Sequence, residues 1–146
     1  MTTSSRLSRH LDWAASQLHE CRLCPRNCRV NRARGEKGWC GAGDRAGMFM
    51  EYVHFAEEPD LVPSHTIFLT GCNLRCAFCH TARERESNAV EYLTSDRLSS
   101  IIDRGRREGA RNVNFLGGEP TVSLSALLPV LDEVEDLPTI VWNSNM

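Results

Sequence analysis

Leu7, Leu11, Ala14, Ala15 and Leu18 recur at helical intervals, which predicts a short amphipathic helix over residues 8–19. The pattern then breaks. From Cys21 to Gly43, turn-forming residues dominate and too few apolar side chains are present for a separate core. Met48-Phe-Met-Glu-Tyr-Val-His-Phe55 has strand composition, and Pro59 and Pro63 punctuate the connection after it. Ser64-His-Thr-Ile-Phe-Leu-Thr70 reads as a buried strand running straight into Gly71-Cys72.

Farther along, strand and helix alternate. Thr94 or Ser95 caps a helix with Leu98, Ile101 and Ile102 on one face and Gly109 as its stop; Gly105 weakens its last turn. Asn112-Val-Asn-Phe-Leu116 is the next strand, ending at Gly117-Gly118-Glu119-Pro120. Ser123 opens a helical stretch carrying Leu127, Leu128 and Leu131, where Pro129 predicts a late start or a kink. Thr139-Ile-Val-Trp142 is a third strand. Such repeats imply right-handed βαβ units and a parallel sheet. The expected architecture is α/β: a small Cys-rich module with its helix over residues 1–47, then about three parallel strands over residues 48–146.

Composition narrows the class. Hydrophobic residues make up 41% and charged residues 25% of 146, close to the soluble average, which excludes a disordered or collagen-like chain. No apolar run approaches the ~20 residues of a membrane helix. Met1-Thr-Thr-Ser-Ser-Arg6 lacks the basic-then-apolar signature of a signal peptide, so the expected compartment is the cytoplasm, with no membrane partner. A net charge of −2 gives no overall field for nucleic acid.

The outlying residue is cysteine, of which there are seven, in two groups: Cys21, Cys24, Cys28, Cys40 and Cys72, Cys76, Cys79. An odd count, close spacing and no export signal favour metal or cluster binding over disulfides. Three thiolates at Cys72, Cys76 and Cys79, on a loop leaving a strand, can wrap one face of an iron–sulfur cube and leave one iron open. The alternatives are a zinc knuckle with His80 as fourth ligand, or Cys76-Ala-Phe-Cys79-His80 as a haem attachment motif, which leaves Cys72 unexplained. The first group, C-x2-C-x3-C-x11-C, can close a tetrahedral zinc site or hold a second cluster. Arg22, Arg26, Arg29, Arg32 and Arg34 surround it with no acid between Cys21 and Glu36. They either compensate thiolate charge and solvate the module, or face an acidic or phosphate-bearing partner.

C-x3-C-x2-C after a strand, with Phe78 before the last cysteine and Gly117-Gly118-Glu119-Pro120 ending the next strand, resembles the radical S-adenosylmethionine (SAM) enzymes. The resemblance implies a partial (β/α)6 barrel. It also implies a 4Fe–4S cluster on Cys72, Cys76 and Cys79, with SAM chelated by the open iron. Phe78 would pack near the adenine, and Gly117, Gly118 and Glu119 would bind the methionine amino group. Asn143 and Ser144 occupy the place of contacts to the methionine carboxylate or ribose. Phe78 as a core residue and Asn143 as a strand-end cap are the plainer readings. Reductive cleavage of SAM would yield a 5′-deoxyadenosyl radical for hydrogen abstraction, with electrons from a flavodoxin- or ferredoxin-like donor.

Within that superfamily, Cys21-Arg-Leu-Cys-Pro-Arg-Asn-Cys28, Gly38-Trp-Cys40-Gly41 and His65–Cys76 are similar to pyruvate formate-lyase activating enzymes and their uncharacterised relatives. That likeness implies a glycyl-radical enzyme as protein substrate. Six βα units of about 30 residues need roughly 180 residues, and the stretch from His65 to Met146 supplies less than half. The chain is therefore expected to be the N-terminal half of a larger enzyme, an incomplete barrel with Ile140 and Trp142 facing a missing core. A non-enzymatic iron–sulfur or zinc protein, or an inactive fragment, is the alternative.

Overall fold

The structure is a computed structural model that describes residues 4–56, 58–83 and 90–146, with residues 4–8 described by backbone alone. Met1–Thr3 of the amino-terminal segment and the Leu7 side chain lie outside the described residues. Helix α1 spans Ser4–His19, starting earlier than its apolar periodicity indicates. Its face of Leu11, Ala14 and Leu18 turns inward, and Ala14 is fully buried where α1 packs against a later helix, α3 (Leu124–Asp132).

Five strands form one sheet in the order β3-β1-β2-β4-β5. These are β1 (Gly47–His54), β2 (Ser64–Leu69), β3 (Glu91–Tyr92), β4 (Asn112–Gly117) and β5 (Thr139–Trp142). The three expected strands β2, β4 and β5 are parallel neighbours. The sheet is nevertheless mixed, not all-parallel, because β1 runs antiparallel to both β2 and β3. The connection over residues 55–63 is too short for the crossover that a parallel return requires, so the chain doubles back.

Helix α2 (Ser95–Arg107) starts at Thr94, whose hydroxyl accepts the amide hydrogen of Arg97, and Gly109 beyond it takes a φ of +84°. The helix runs through Gly105 to Arg107. A Cβ on Gly105 would stand 2.5 Å from Nδ1 of the buried His65, so glycine lets α2 settle on β2. Helix α3 shows no late start: a 3-10 turn at Pro120–Ser123 leads directly into it, and Pro129 sits inside the helix.

The core lies between sheet and helices, built by Ile67, Leu69, Val113 and Phe115 against Leu98, Ile101 and Leu127. Ile140 and Trp142 do not face an absent core. Both are half-buried against this one, with the Trp142 ring 5.9 Å from that of Phe115. No helix among the described residues is long and apolar enough to cross a membrane.

Candidate metal centre at the carboxyl end of the parallel strands

Strand β2 delivers the chain to Gly71 and Cys72 at the carboxyl edge of the sheet, beside the end of β4. The two strand ends press together closely. The Gly118 amide donates to the Leu69 carbonyl at 2.7 Å and the Glu119 amide to the Gly71 carbonyl at 2.9 Å. A Cβ on Gly118 would lie 1.9 Å from the Gly71 carbonyl oxygen, and one on Gly117 would lie 2.5 Å from the Leu69 nitrogen. The Gly-Gly pair is therefore required by the backbone of the cysteine loop itself.

The far end of the loop is fastened to the same place. Thr81 donates its hydroxyl hydrogen to the Gly117 carbonyl at 3.2 Å, and its oxygen lies 3.7 Å from the Cys79 sulfur. Within the loop the Cys79 amide bonds back to the Cys76 carbonyl at 3.2 Å, and the Leu74 amide points at the Cys72 sulfur at 3.4 Å. Cys72, Cys76 and Cys79 are half-buried free thiols. Phe78 is 82% exposed, which overturns its reading as a core residue. His80 is exposed as well.

Glu119 is almost fully buried, 1% exposed, and its carboxylate is held by three donors. Oε1 accepts from the Thr121 amide at 3.0 Å and the Ser144 hydroxyl at 2.7 Å, and Oε2 accepts from the Asn145 amide at 3.1 Å. The structure thus joins Glu119 to Ser144, two residues that sequence reading singled out separately. Asn143 is exposed; its backbone amide donates to the Phe115 carbonyl and continues the β4–β5 pairing.

The N-terminal module docks on this loop. The Cys72 amide donates to the Cys40 carbonyl at 3.0 Å, and the Arg26 Nε donates to the Asn73 carbonyl at 3.0 Å. The Arg26 and Arg75 guanidinium groups lie over the Trp39 ring, 4.1 and 4.0 Å from its centre. Asn73 is buried and its side-chain oxygen has no partner. Sequence reading assigned no role of its own to Asn73, Thr81 or Trp39, because no spacing rule marks a residue whose role is to hold a loop. A cleft of about 340 Å³ opens beside the loop, with Cys40, Cys72, Thr70, Arg75, Lys37 and Arg45 in its wall.

Burial pushes the Cys40 thiol up; the Ala42 amide and the Arg32 guanidinium act against that rise, and the nearby Cys21 and Cys24 add to it. Among the described residues no three His, Cys, Asp or Glu side chains are drawn around one point as metal ligands. The donor chemistry nonetheless suits a cluster: three thiols from one loop, with both ends of that loop fixed to the sheet.

Residues 63–145 match the family model of the 4Fe-4S single cluster domain, and the chain belongs to that family. It is 35% identical over 141 residues to an uncharacterized protein of Methanocaldococcus jannaschii, covering 91% of this chain and 40% of that protein. It is 35% identical over 72 residues to a probable GTP 3′,8-cyclase of Archaeoglobus fulgidus, covering 49% of this chain and 20% of the cyclase. To the 7-carboxy-7-deazaguanine synthase of Methanothermobacter thermautotrophicus it is 31% identical over 75 residues, half of this chain and 30% of the synthase. The cyclase and the synthase are radical SAM family members, so the chain is homologous to enzymes of that family. It spans well under half the length of these relatives. No solved structure matches.

Proposed function

We propose that this chain is the cluster- and SAM-binding part of a radical SAM enzyme. The observation that carries this reading is the double fastening of the Cys72–Cys79 loop to Gly117 and Gly118. It sets three thiols and a glycine-lined strand end side by side, next to a cleft large enough for a small ligand.

Cys72, Cys76 and Cys79 would ligate three irons of a 4Fe–4S cluster. A cluster held there, once reduced by an external donor, would pass one electron to the sulfonium of bound SAM, whose bond from sulfur to the 5′ carbon would break to give methionine and a 5′-deoxyadenosyl radical. This chain's own residues bind and orient. Gly117 and Gly118 bring backbone polar groups close to the methionine end. Glu119, fixed by Thr121, Ser144 and Asn145, keeps lone-pair capacity on Oε2 for an ammonium group. Ser144 would act through Glu119 as a positioning residue, Asn143 would contact the ribose or carboxylate, and the exposed Phe78 would pack near the adenine. An electron donor of flavodoxin or ferredoxin type would supply the reducing equivalent.

The substrate of the hydrogen abstraction has two readings. The relatives named for GTP and for a deazaguanine favour a nucleotide-like small molecule, and Lys37, Arg45 and Arg75 in the cleft wall suit its anionic groups. The Cys21–Cys28 run and Gly38-Trp-Cys40-Gly41 favour a glycyl-radical enzyme instead. Incubation of the reconstituted, dithionite-reduced protein with SAM tests the shared step. Release of 5′-deoxyadenosine and methionine in equal amounts is expected, and SAM recovered intact would refute the reading for this polypeptide.

A further inference from the structure

The four N-terminal cysteines lie outside the SAM chemistry, yet the structure brings them together. Cys21, Cys24, Cys28 and Cys40 all line one small cavity, shared with Arg32 and Gly38. The backbone is shaped to put them there. The Cys21 amide donates to the Val30 carbonyl at 3.1 Å and the Arg29 amide to the Cys21 carbonyl at 2.9 Å, clipping the two ends of the knuckle like a pair of antiparallel strands. The Asn27 amide returns to the Cys24 carbonyl at 3.0 Å. Asn27 and Arg29, on either side of Cys28, both take left-handed φ values of +46° and +56°, a strained pair for residues other than glycine. A Cβ on Gly38 would come within 3.0 Å of the Cys28 sulfur, so glycine leaves the thiol its space.

The charge arrangement points the same way. Arg32 is 2% exposed, and a guanidinium stays ionised even when buried. Its Nη1 donates to the Val122 carbonyl at 2.6 Å and its Nη2 to the Cys40 sulfur at 3.6 Å, while Nε has no partner. Among the described residues no carboxylate pairs with it. A buried cation beside four thiols needs anions there, and thiolates on a divalent metal leave the site net negative. The cavity has room for roughly one water-sized particle, about 10 Å³. That is room for one ion.

We propose that Cys21, Cys24, Cys28 and Cys40 bind a single zinc-type divalent ion in a closed tetrahedral site. Arg32 balances its charge, and the Cys40 carbonyl hands its geometry on to Cys72. The sulfurs are not yet gathered on one point, so binding draws them the remaining distance. The site is structural. It leaves no open position, and it couples the module to the loop through the hydrogen bond between the Cys72 amide and Cys40.

The test uses Co²⁺ as an optical probe on the chelator-stripped chain, in wild type and in a Cys72→Ala/Cys76→Ala/Cys79→Ala variant. Both are expected to take up about one equivalent. Each should show thiolate-to-cobalt charge-transfer absorption and intense tetrahedral bands, displaced by Zn²⁺. Zinc bound to the wild type should show four sulfurs at about 2.3 Å by X-ray absorption. Arg32→Met should weaken zinc about 10–100-fold with the charge-transfer bands retained. Weak, octahedral cobalt bands, or loss of the bands in the triple variant, would overturn the proposal. So would iron and sulfide retained by the triple variant, which would make this a second cluster site.

Discussion

The Cys72 amide donates to the Cys40 carbonyl at 3.0 Å, so one hydrogen bond joins the last cysteine of the first group to the first cysteine of the second. Directly beneath that bond, Gly71 takes a φ of +82°, and a Cβ on it would sit 3.2 Å from the same carbonyl oxygen. The module and the cluster loop therefore share a backbone contact that a side chain would crowd and strain. Gly71→Ala should strain the turn and push the two groups apart. We expect a loss of about 1–3 kcal/mol in chemical denaturation, with reduced iron retention after reconstitution.

Gly118→Ala is the more severe change, because the new methyl carbon would overlap the Gly71 carbonyl oxygen and neither backbone can yield. Destabilisation of about 3 kcal/mol or more is expected. Gly43→Ala, with nothing within 4 Å of the new carbon, should stay within about 0.5 kcal/mol of wild type. Urea unfolding of the two variants side by side checks both.

Ser144→Ala removes one of the three donors to the buried Glu119 carboxylate. Hydrogen bonds to charged groups contribute about 1.5–3 kcal/mol, so a stability loss in that range is expected. If Ser144 positions Glu119 for SAM, SAM affinity measured by calorimetry on the reconstituted protein should fall, while iron content stays unchanged. Phe78→Ala should leave stability within about 0.5 kcal/mol, since the ring is exposed, and still weaken SAM binding.

Glu51, on β1 opposite Ile67, sits on the sheet face that α2 covers. Burial would raise its carboxyl, but the hydrogen bonds from His65 and Arg104 outweigh that and hold it below its usual value of 4.5. His65 Nε2 lies 2.5 Å from Glu51 Oε2, and Arg104 and Arg97 both reach Oε1. A carboxylate depressed in the folded state adds stability above its unfolded value and loses it as pH falls through the folded value. Melting temperature should therefore drop below about pH 4.5 in the wild type. Glu51→Gln should cost about 2–4 kcal/mol near neutral pH and show a shallower acid decline.

Much of this arrangement was readable from punctuation. Gly109, Thr94 and the apolar triplet Leu98, Ile101 and Ile102 marked α2, and the runs into Gly71-Cys72 and Gly117 marked β2 and β4, because termini and buried strands obey local rules. The direction of β1 was not readable: strand composition is the same for either orientation, and the short return after it decides. Arg32 stood among five arginines that either compensate thiolate charge or face a partner, and only the fold singles it out as the one buried against Val122 and Cys40. Gly105 looked like a weakness because its reason, the His65 ring, lies 40 positions away in the chain. The pairing of Glu119 with Ser144 was out of reach for the same reason. Each was a candidate alone, and only packing of β5 beside β4 makes them partners.

In the proposed function Cys72, Cys76 and Cys79 hold a 4Fe–4S cluster whose open iron takes SAM. Electron paramagnetic resonance of the anaerobically reconstituted, reduced protein, with and without SAM, tests it most directly. A 4Fe–4S signal that shifts when SAM is added and disappears in Cys76→Ala is expected. A cluster signal indifferent to SAM, or one that persists in Cys76→Ala, would contradict the proposal.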